Sequence, residues 1–320
     1  MFKKLKSLLL VGILAIGTVG CGSTKEAKED AYKVCLVLSE GGVNDESFNQ
    51  SAYEGALKAQ EEYGIELSYL ESKSTSEYMQ NIETAIDKES DLVVGVGFQM
   101  ADAIKEVALA YPEQNFVIVD STYEDIPSNV RPITFNEQEA GYAVGIIASQ
   151  LTKTNACAFL GGVEIPSCYN FGIGFEQALK DENKDIKFVK QFTNSFTDSA
   201  KAKVVAEQMI NEGVDTIFFA SGGGNVGALE AIKEKGIMGL GVDMPSNYLA
   251  PQHVITSALK NVGEGLKLTI KDAIDGNFNG GNEVKYDLSN GGVGFEKTNL
   301  LSDELIQYVE GRLKEYENRN

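Results

Sequence analysis

The stretch KVCLVLSEGGVNDESFNQSAYEG, residues 33–55, sets the pattern for the rest of the chain. Val34 to Leu38 is a short apolar run with β-type residues. Gly41-Gly42 supplies a turn, and an amphipathic segment over 47–63 follows. This is a strand, a tight turn and a helix. A glycine-rich turn that opens a helix is where many proteins cradle phosphate, because the helix N-terminus presents free N–H groups. Here the turn carries Asn44, Asp45 and Glu46, and its two acids repel an anion. An uncharged ligand rich in donors suits it better. Asp45 also stands where a helix N-cap belongs.

The same unit recurs. Apolar runs fall at 33–38, 65–70, 91–96, 115–120, 156–160, 186–192, 215–220 and 238–242. Amphipathic stretches separate them at 47–63, 76–89, 99–110, 137–151, 170–182, 198–212 and 224–235. In the 198–212 segment Ala202, Val205, Ala206 and Met209 share one face, with Asp198 placed to cap it and Gly213 to end it. Strands alternating with helices call for parallel sheets covered on both faces. So many strands divide more naturally into two α/β domains, with a break near 132–140. Beyond 250 come a strand at 253–258, a helix at 262–275, short strands near 284–288 and 292–295, and a charged helix at 302–317. No internal sequence repeat is visible.

Composition narrows the partners. The 320 residues carry a net charge of −19 and 43% apolar residues. An acidic globular chain is a poor partner for nucleic acid, whose phosphates need clustered Lys and Arg. Lys3, Lys4 and Lys6 precede an apolar run over 8–19 that is too short to span a bilayer comfortably, so residues 1–20 read as an export signal. The small residues before Cys21 resemble a bacterial lipoprotein cleavage box, which implies a lipid on Cys21; a plain signal peptide with a chance cysteine is the alternative. Residues 21–31 then form a flexible tether. Cys35 and Cys157 fall within strands and Cys168 beside a helix start. With no CxxC and His253 as the single histidine, zinc or Cys/His catalysis is not expected.

In open α/β sheets ligands bind beyond the carboxyl ends of the strands. Those ends carry Asp45, Phe98, Asp120, Gly222, Gly223 and Asp243. A carboxylate there can accept paired hydroxyls, though N-capping by Asp45 and plain turn roles for Asp120 and Asp243 account for the same residues. Paired acids also occur in glycosidases, but nothing separates an acid from a base here. Gly222-Gly223-Gly224-Asn225-Val226-Gly227 fits G-x-G-x-x-G after a strand and before a helix. Asp243 follows at nearly the spacing of a ribose-binding acid, so a nicotinamide-dependent enzyme is one reading. The motif's late position and the export signal argue against it, and a turn that lets backbone approach a ligand explains the glycines equally. Tyr53, Phe98, Tyr169 and Phe171 offer aromatic faces near strand ends, whereas Phe48, in register with Ala52 and Ala56, reads as core. Lys260 ends a strand, where an exposed lysine and a ligand donor are both reasonable.

Taken together, GGVNDESFNQSAYEG, FLGGVEIPSCYNFGIGFEQAL, SFTDSAKAKVVAEQMINEGVDTIFFASGGGNVG, GVDMPSNYLAP, VITSALKNVG and LSNGGVGF resemble, in order, the basic membrane protein family of bacterial lipoproteins, purine nucleoside receptors of ABC transporters. The resemblance implies a type I periplasmic binding-protein fold: two doubly wound parallel-sheet lobes joined by a three-stranded hinge. The N-terminal lobe would comprise 32–135 and 257–286, the C-terminal lobe 136–256 and 287–320, with crossings near 132–138, 254–258 and 285–291. It further implies that Asn44 and Asp45 contact the ligand and that Tyr53 stacks on the base. Asp120 would bind the base edge or a neighbouring polar atom, Gly222 and Gly223 would bring backbone close, and Asp243 and Lys260 would engage the ribose hydroxyls. Phe98 and Phe171 are added from position. Asn44 replaces a frequent Asp, and SGGGNVG replaces a pattern that usually carries Thr after two glycines. The expectation is an extracytoplasmic, lipid-anchored monomer that needs no cofactor, works by closure rather than chemistry and docks on an ABC permease. A receptor of the same fold for a sugar or signalling molecule is the alternative.

Overall fold

The computed structural model describes residues 31–319; the expected signal, lipidation site and most of the tether lie outside the described residues. The first half of the chain lays down β1 (Lys33–Leu38), α1 (Phe48–Tyr63), β2 (Glu66–Glu71), α2 (Tyr78–Asp87), β3 (Leu92–Val96), α3 (Ala101–Ala110), β4 (Asn115–Val119) and β5 (Val130–Phe135). The second half follows the same rhythm with α4 (Glu137–Leu151), β6 (Ala156–Gly161), α5 (Pro166–Glu182), β7 (Lys187–Phe192), α6 (Ser199–Asn211), β8 (Thr216–Ala220), α7 (Asn225–Lys235), β9 (Met238–Asp243) and β10 (Val254–Lys260). The tail adds α8 (Val262–Ile274), β11 (Val284–Tyr286), β12 (Val293–Phe295) and α9 (Asp303–Glu317).

Two six-stranded sheets result, in the orders β11-β5-β4-β3-β1-β2 and β12-β10-β9-β8-β6-β7. Strand for strand these are one topology used twice. Every pairing is parallel except β12 against β10. The chain passes from one sheet to the other after β5, after β10 and between β11 and β12. β10 stays in the second sheet through Lys260, which pairs with Val293. β5 was absent from the strands expected from apolar runs, because Arg131-Pro132 interrupts its pattern. Pro132 is tolerated where it is: β11 pairs only from Ile133 onward, so β5 is an open edge at the proline.

Alternation along the strands divides the core. Val34, Leu36 and Leu38 pack with Ala52, Ala56 and Ala59 of α1. Cys35 and Val37 face the opposite side, with Tyr78, Ile82, Ile104 and Val107 of α2 and α3. The second sheet is likewise covered by α4 and α5 on one face and by α6 and α7 on the other. Asp198 caps α6 by accepting from the Lys201 N–H at 2.9 Å, as its position predicted. α4 and α5 cross closely enough that a Cβ on Gly141 would lie 2.1 Å from the Phe171 carbonyl oxygen, and one on Gly174 would lie 1.9 Å from that of Gln138. Only glycine permits that approach, and it fixes the start of α5 against the start of α4. No helix among the described residues is long and apolar enough to cross a membrane.

Candidate functional site

A cavity lies between the carboxyl ends of the two sheets, where ligands of open α/β sheets bind. From the first sheet it is lined by Asp45, Phe48, Phe98 and Asp120, and from the second by Phe171, Phe196, Gly222, Gly223, Asp243 and Lys260. Asn44 and Tyr53 are not among its lining. Asn44 is exposed beyond the turn. Tyr53 lies well round the helix from Phe48 and packs edge-on against Tyr69 of β2, with ring centres 5.2 Å apart. Phe48, in the first turn of α1, packs against the core as its register with Ala52 and Ala56 suggested and also lines the cavity.

Asp45 caps α1 from three residues ahead of its first residue, Phe48. Its carboxylate accepts from the N–H groups of Ser47 at 3.0 Å, Asn49 at 2.9 Å and Gln50 at 3.1 Å. Burial raises its pKa, and those N–H groups work against the rise. Asp45 therefore caps the helix and also lines the cavity.

Asp120 and Asp243 occupy matching places, one just past β4 and the other ending β9. Each adopts a left-handed backbone, with φ of 64° in both, a conformation that Asp enters more readily than most residues. The kink turns each carboxylate inward. One Asp120 oxygen receives the Lys260 ammonium. The other, Oδ1, is buried and makes no hydrogen bond of ordinary geometry among the described residues. Asp243 accepts from the Ser47 hydroxyl at 2.5 Å, a contact that joins the two sheets. Burial pushes Asp243 up to about 6 and raises Asp120 as well, with Lys260 opposing both shifts.

Lys260 is only 2% exposed. Besides Asp120 it meets Glu137, Nζ to Oε1 at 3.4 Å. Its ammonium lies 5.0 Å from the ring centre of Phe48, 5.5 Å from Phe135 and 5.8 Å from Phe171, within cation–π range. Burial disfavours its charge, but Asp120, Glu137 and Asp243 outweigh this and hold its pKa above the ordinary lysine value.

The turn after β8 places Gly222 at φ 57°, with room for a Cβ blocked by the Phe196 carbonyl at 3.0 Å. Phe196 itself had no sequence signal. It sits in an irregular polar loop, TNSFTD, and its ring packs where any side chain on Gly162 would be. Glu137 was read only as a helix start. Tyr248 donates to Glu46 across the rim of the cavity. Among the described residues no group of three or more His, Cys, Asp or Glu could hold a metal. Cys35, Cys157 and Cys168 are buried free thiols.

A family model described as ABC transporter substrate-binding protein, PnrA-like, matches residues 32–319. The chain belongs to this Bmp family. Basic membrane protein A of Borreliella burgdorferi is 37% identical over 311 residues, covering 95% of this chain and 91% of the relative. The ABC transporter nucleoside-binding protein BmpA of Lactococcus lactis is 33% identical over 329 residues, covering 93% of each. A solved ABC transporter solute-binding protein from Aeropyrum pernix superposes with a TM-score of 0.78 at 31% identity, over 89% of this chain and 80% of that one. Bmp members are solute-binding proteins of ABC transporters, and the two six-stranded lobes are those of a periplasmic binding protein.

Proposed function

We propose that this protein captures a purine nucleoside between its lobes and hands it to an ABC permease, held at the outer face of the cell membrane by a lipid on Cys21. The observation that carries the reading is the chemistry of the cavity wall. Phe48, Phe98, Phe171 and Phe196 offer flat apolar faces for a base. Asp45, Asp120 and Asp243 offer acceptors for ring N–H groups and hydroxyls. Lys260, the only cation lining the cavity among the described residues, is already committed to carboxylates. A ring with a diol suits this wall, and a phosphate has no free cation to meet. The name of the Lactococcus relative supports the same ligand class.

Closure does the work. Lys260 to Asp120, Ser47 to Asp243 and Tyr248 to Glu46 all join one sheet to the other. A ligand that touches both lobes favours the joined state by the contacts it gains there. The closed form is the one a permease would recognise. Isothermal titration with guanosine, adenosine, inosine, ribose, a nucleoside monophosphate and NAD tests the proposal. A nucleoside is expected to bind at micromolar concentration or tighter, with the monophosphate far weaker. Binding of ribose with no nucleoside response would overturn the ligand class, and thermal protection by NAD would return the nicotinamide reading.

A further inference from the structure

The two carboxylates on Lys260 belong to different lobes. Glu137 opens α4, which packs on α5, β10 and β12, and Lys260 ends β10. Their 3.4 Å contact is therefore internal to the second lobe. Asp120 is fixed to the first sheet, its N–H donating to the Ile133 carbonyl at 2.9 Å. One ion pair of the lysine survives separation of the lobes, and the other does not.

Glu137 is also held from behind. Its Oε2 accepts from Asn170 Nδ2 at 3.4 Å, and Asn170 Oδ1 accepts from Gln138 Nε2 at 3.4 Å. The glycine crossing of α4 and α5 keeps Asn170 beside Glu137. With Lys260 surrounded by three aromatic rings and almost wholly out of water, a carboxylate is the partner that keeps its charge affordable.

We infer that Glu137 is a positioning residue: the standing counter-ion of Lys260, which keeps the ammonium charged and aimed when the lobes part. When they close it shares that charge with Asp120, so that Asp120 keeps an acceptor for the ligand. The inference rests on the closure reading above. With Glu137 neutral, the ammonium would lean wholly on Asp120. The ligand-free molecule would be drawn shut, and the ligand's acceptor would be occupied. The titratable groups facing this pair are Asp120 past β4, Asp243 at the end of β9 with Asp45 beyond it, and Cys168 on α5, whose buried thiol at about 12 stays neutral. Glu139, on α4 itself, turns away to the Leu288 N–H at 2.7 Å.

Glu137→Gln tests the inference, with Glu137→Asp as the charge-keeping control. Small-angle scattering of the ligand-free protein should show a smaller radius of gyration for Glu137→Gln than for wild type at pH 8. Nucleoside affinity at pH 8 should fall about tenfold, a normal size for coupling between a site and a two-state motion. Burial raises Glu137 to about 7, with Lys260 pulling it down and Asp120 pushing it up. Wild-type affinity should therefore weaken as pH falls from 8 to 6, and Glu137→Gln should weaken distinctly less, keeping only the part that Asp243, which titrates near 6, contributes. Glu137→Asp should recover part of the pH dependence. A wild-type radius and pH profile in Glu137→Gln would overturn the inference. So would lost affinity with an unchanged profile, which would mark a merely structural role. If wild type binds no nucleoside yet Glu137→Gln is still more compact, the nucleoside reading fails and the counter-ion stands.

Discussion

The two lobes end corresponding strands on the same backbone device and then differ in charge. Asp120 follows β4, Asp243 ends β9, and both take a left-handed φ of 64°. One strand further along, the correspondence continues: Phe135-Asn136 closes β5, and Lys260-Asn261 closes β10, each just before a helix. Where the second lobe has a lysine, the first has a phenylalanine, and the two lie 5.5 Å apart in the assembled site. Asp120 thus receives an ammonium from the opposite lobe, whereas Asp243 receives a serine hydroxyl. Shared topology delivers matched geometry, and a single side chain at a strand end decides which acid is neutralised. One lobe becomes the ionic half of the grip and the other the neutral half.

Removing the lysine breaks the comparison most severely. Lys260→Met leaves Asp120 and Glu137 buried without a cation, which should cost about 3–5 kcal/mol of stability and abolish nucleoside binding; urea unfolding followed by circular dichroism measures the first. Asp243→Asn separates stability from binding. Nucleoside affinity should drop more than about tenfold, the worth of a hydrogen bond to a charged group. The ligand-free fold should become more stable at pH 7.5, with the melting temperature rising by about 2–4 °C per kcal/mol gained. The sign follows from the raised pKa. Folded Asp243 titrates near 6 against an ordinary value of 3.8, so it holds its proton more tightly folded than unfolded. The stability this adds is full below about pH 4 and is lost as pH rises through about 6. A melting series across that range should slope downward in wild type, and less so in Asp243→Asn. Tyr248→Phe is the mildest change. It removes a rim contact to Glu46 from a side chain that is 56% exposed, and affinity should change less than about fivefold.

Most strands and helices were legible because both faces of each sheet are covered, so the strands are unbroken apolar runs and the helices carry one apolar face. β5 escaped because an arginine and a proline sit inside it, and that is acceptable only where the neighbouring strand stops short. The acids and glycines at strand ends were legible for a related reason: little else interrupts an apolar strand. The aromatics were not. Phe48 shares its helix face with Ala52 and Ala56, and no periodicity tells the last residue over the core from the first over a cleft. Tyr53 had the right chemistry on the wrong side of the helix. Phe196 lies in a loop without period, and Glu137 has the sequence of any helix start; their roles arise from contacts with residues far away along the chain.

The capping of α1 by Asp45 has a bearing on which ligands the cavity can admit. A helix end left open would attract small anions such as phosphate. By taking the N–H groups of Ser47, just before the helix, and of Asn49 and Gln50 in its first turn onto its own carboxylate, the protein closes that port with a covalently attached anion. The first turn of α1 then has little left to offer a phosphate.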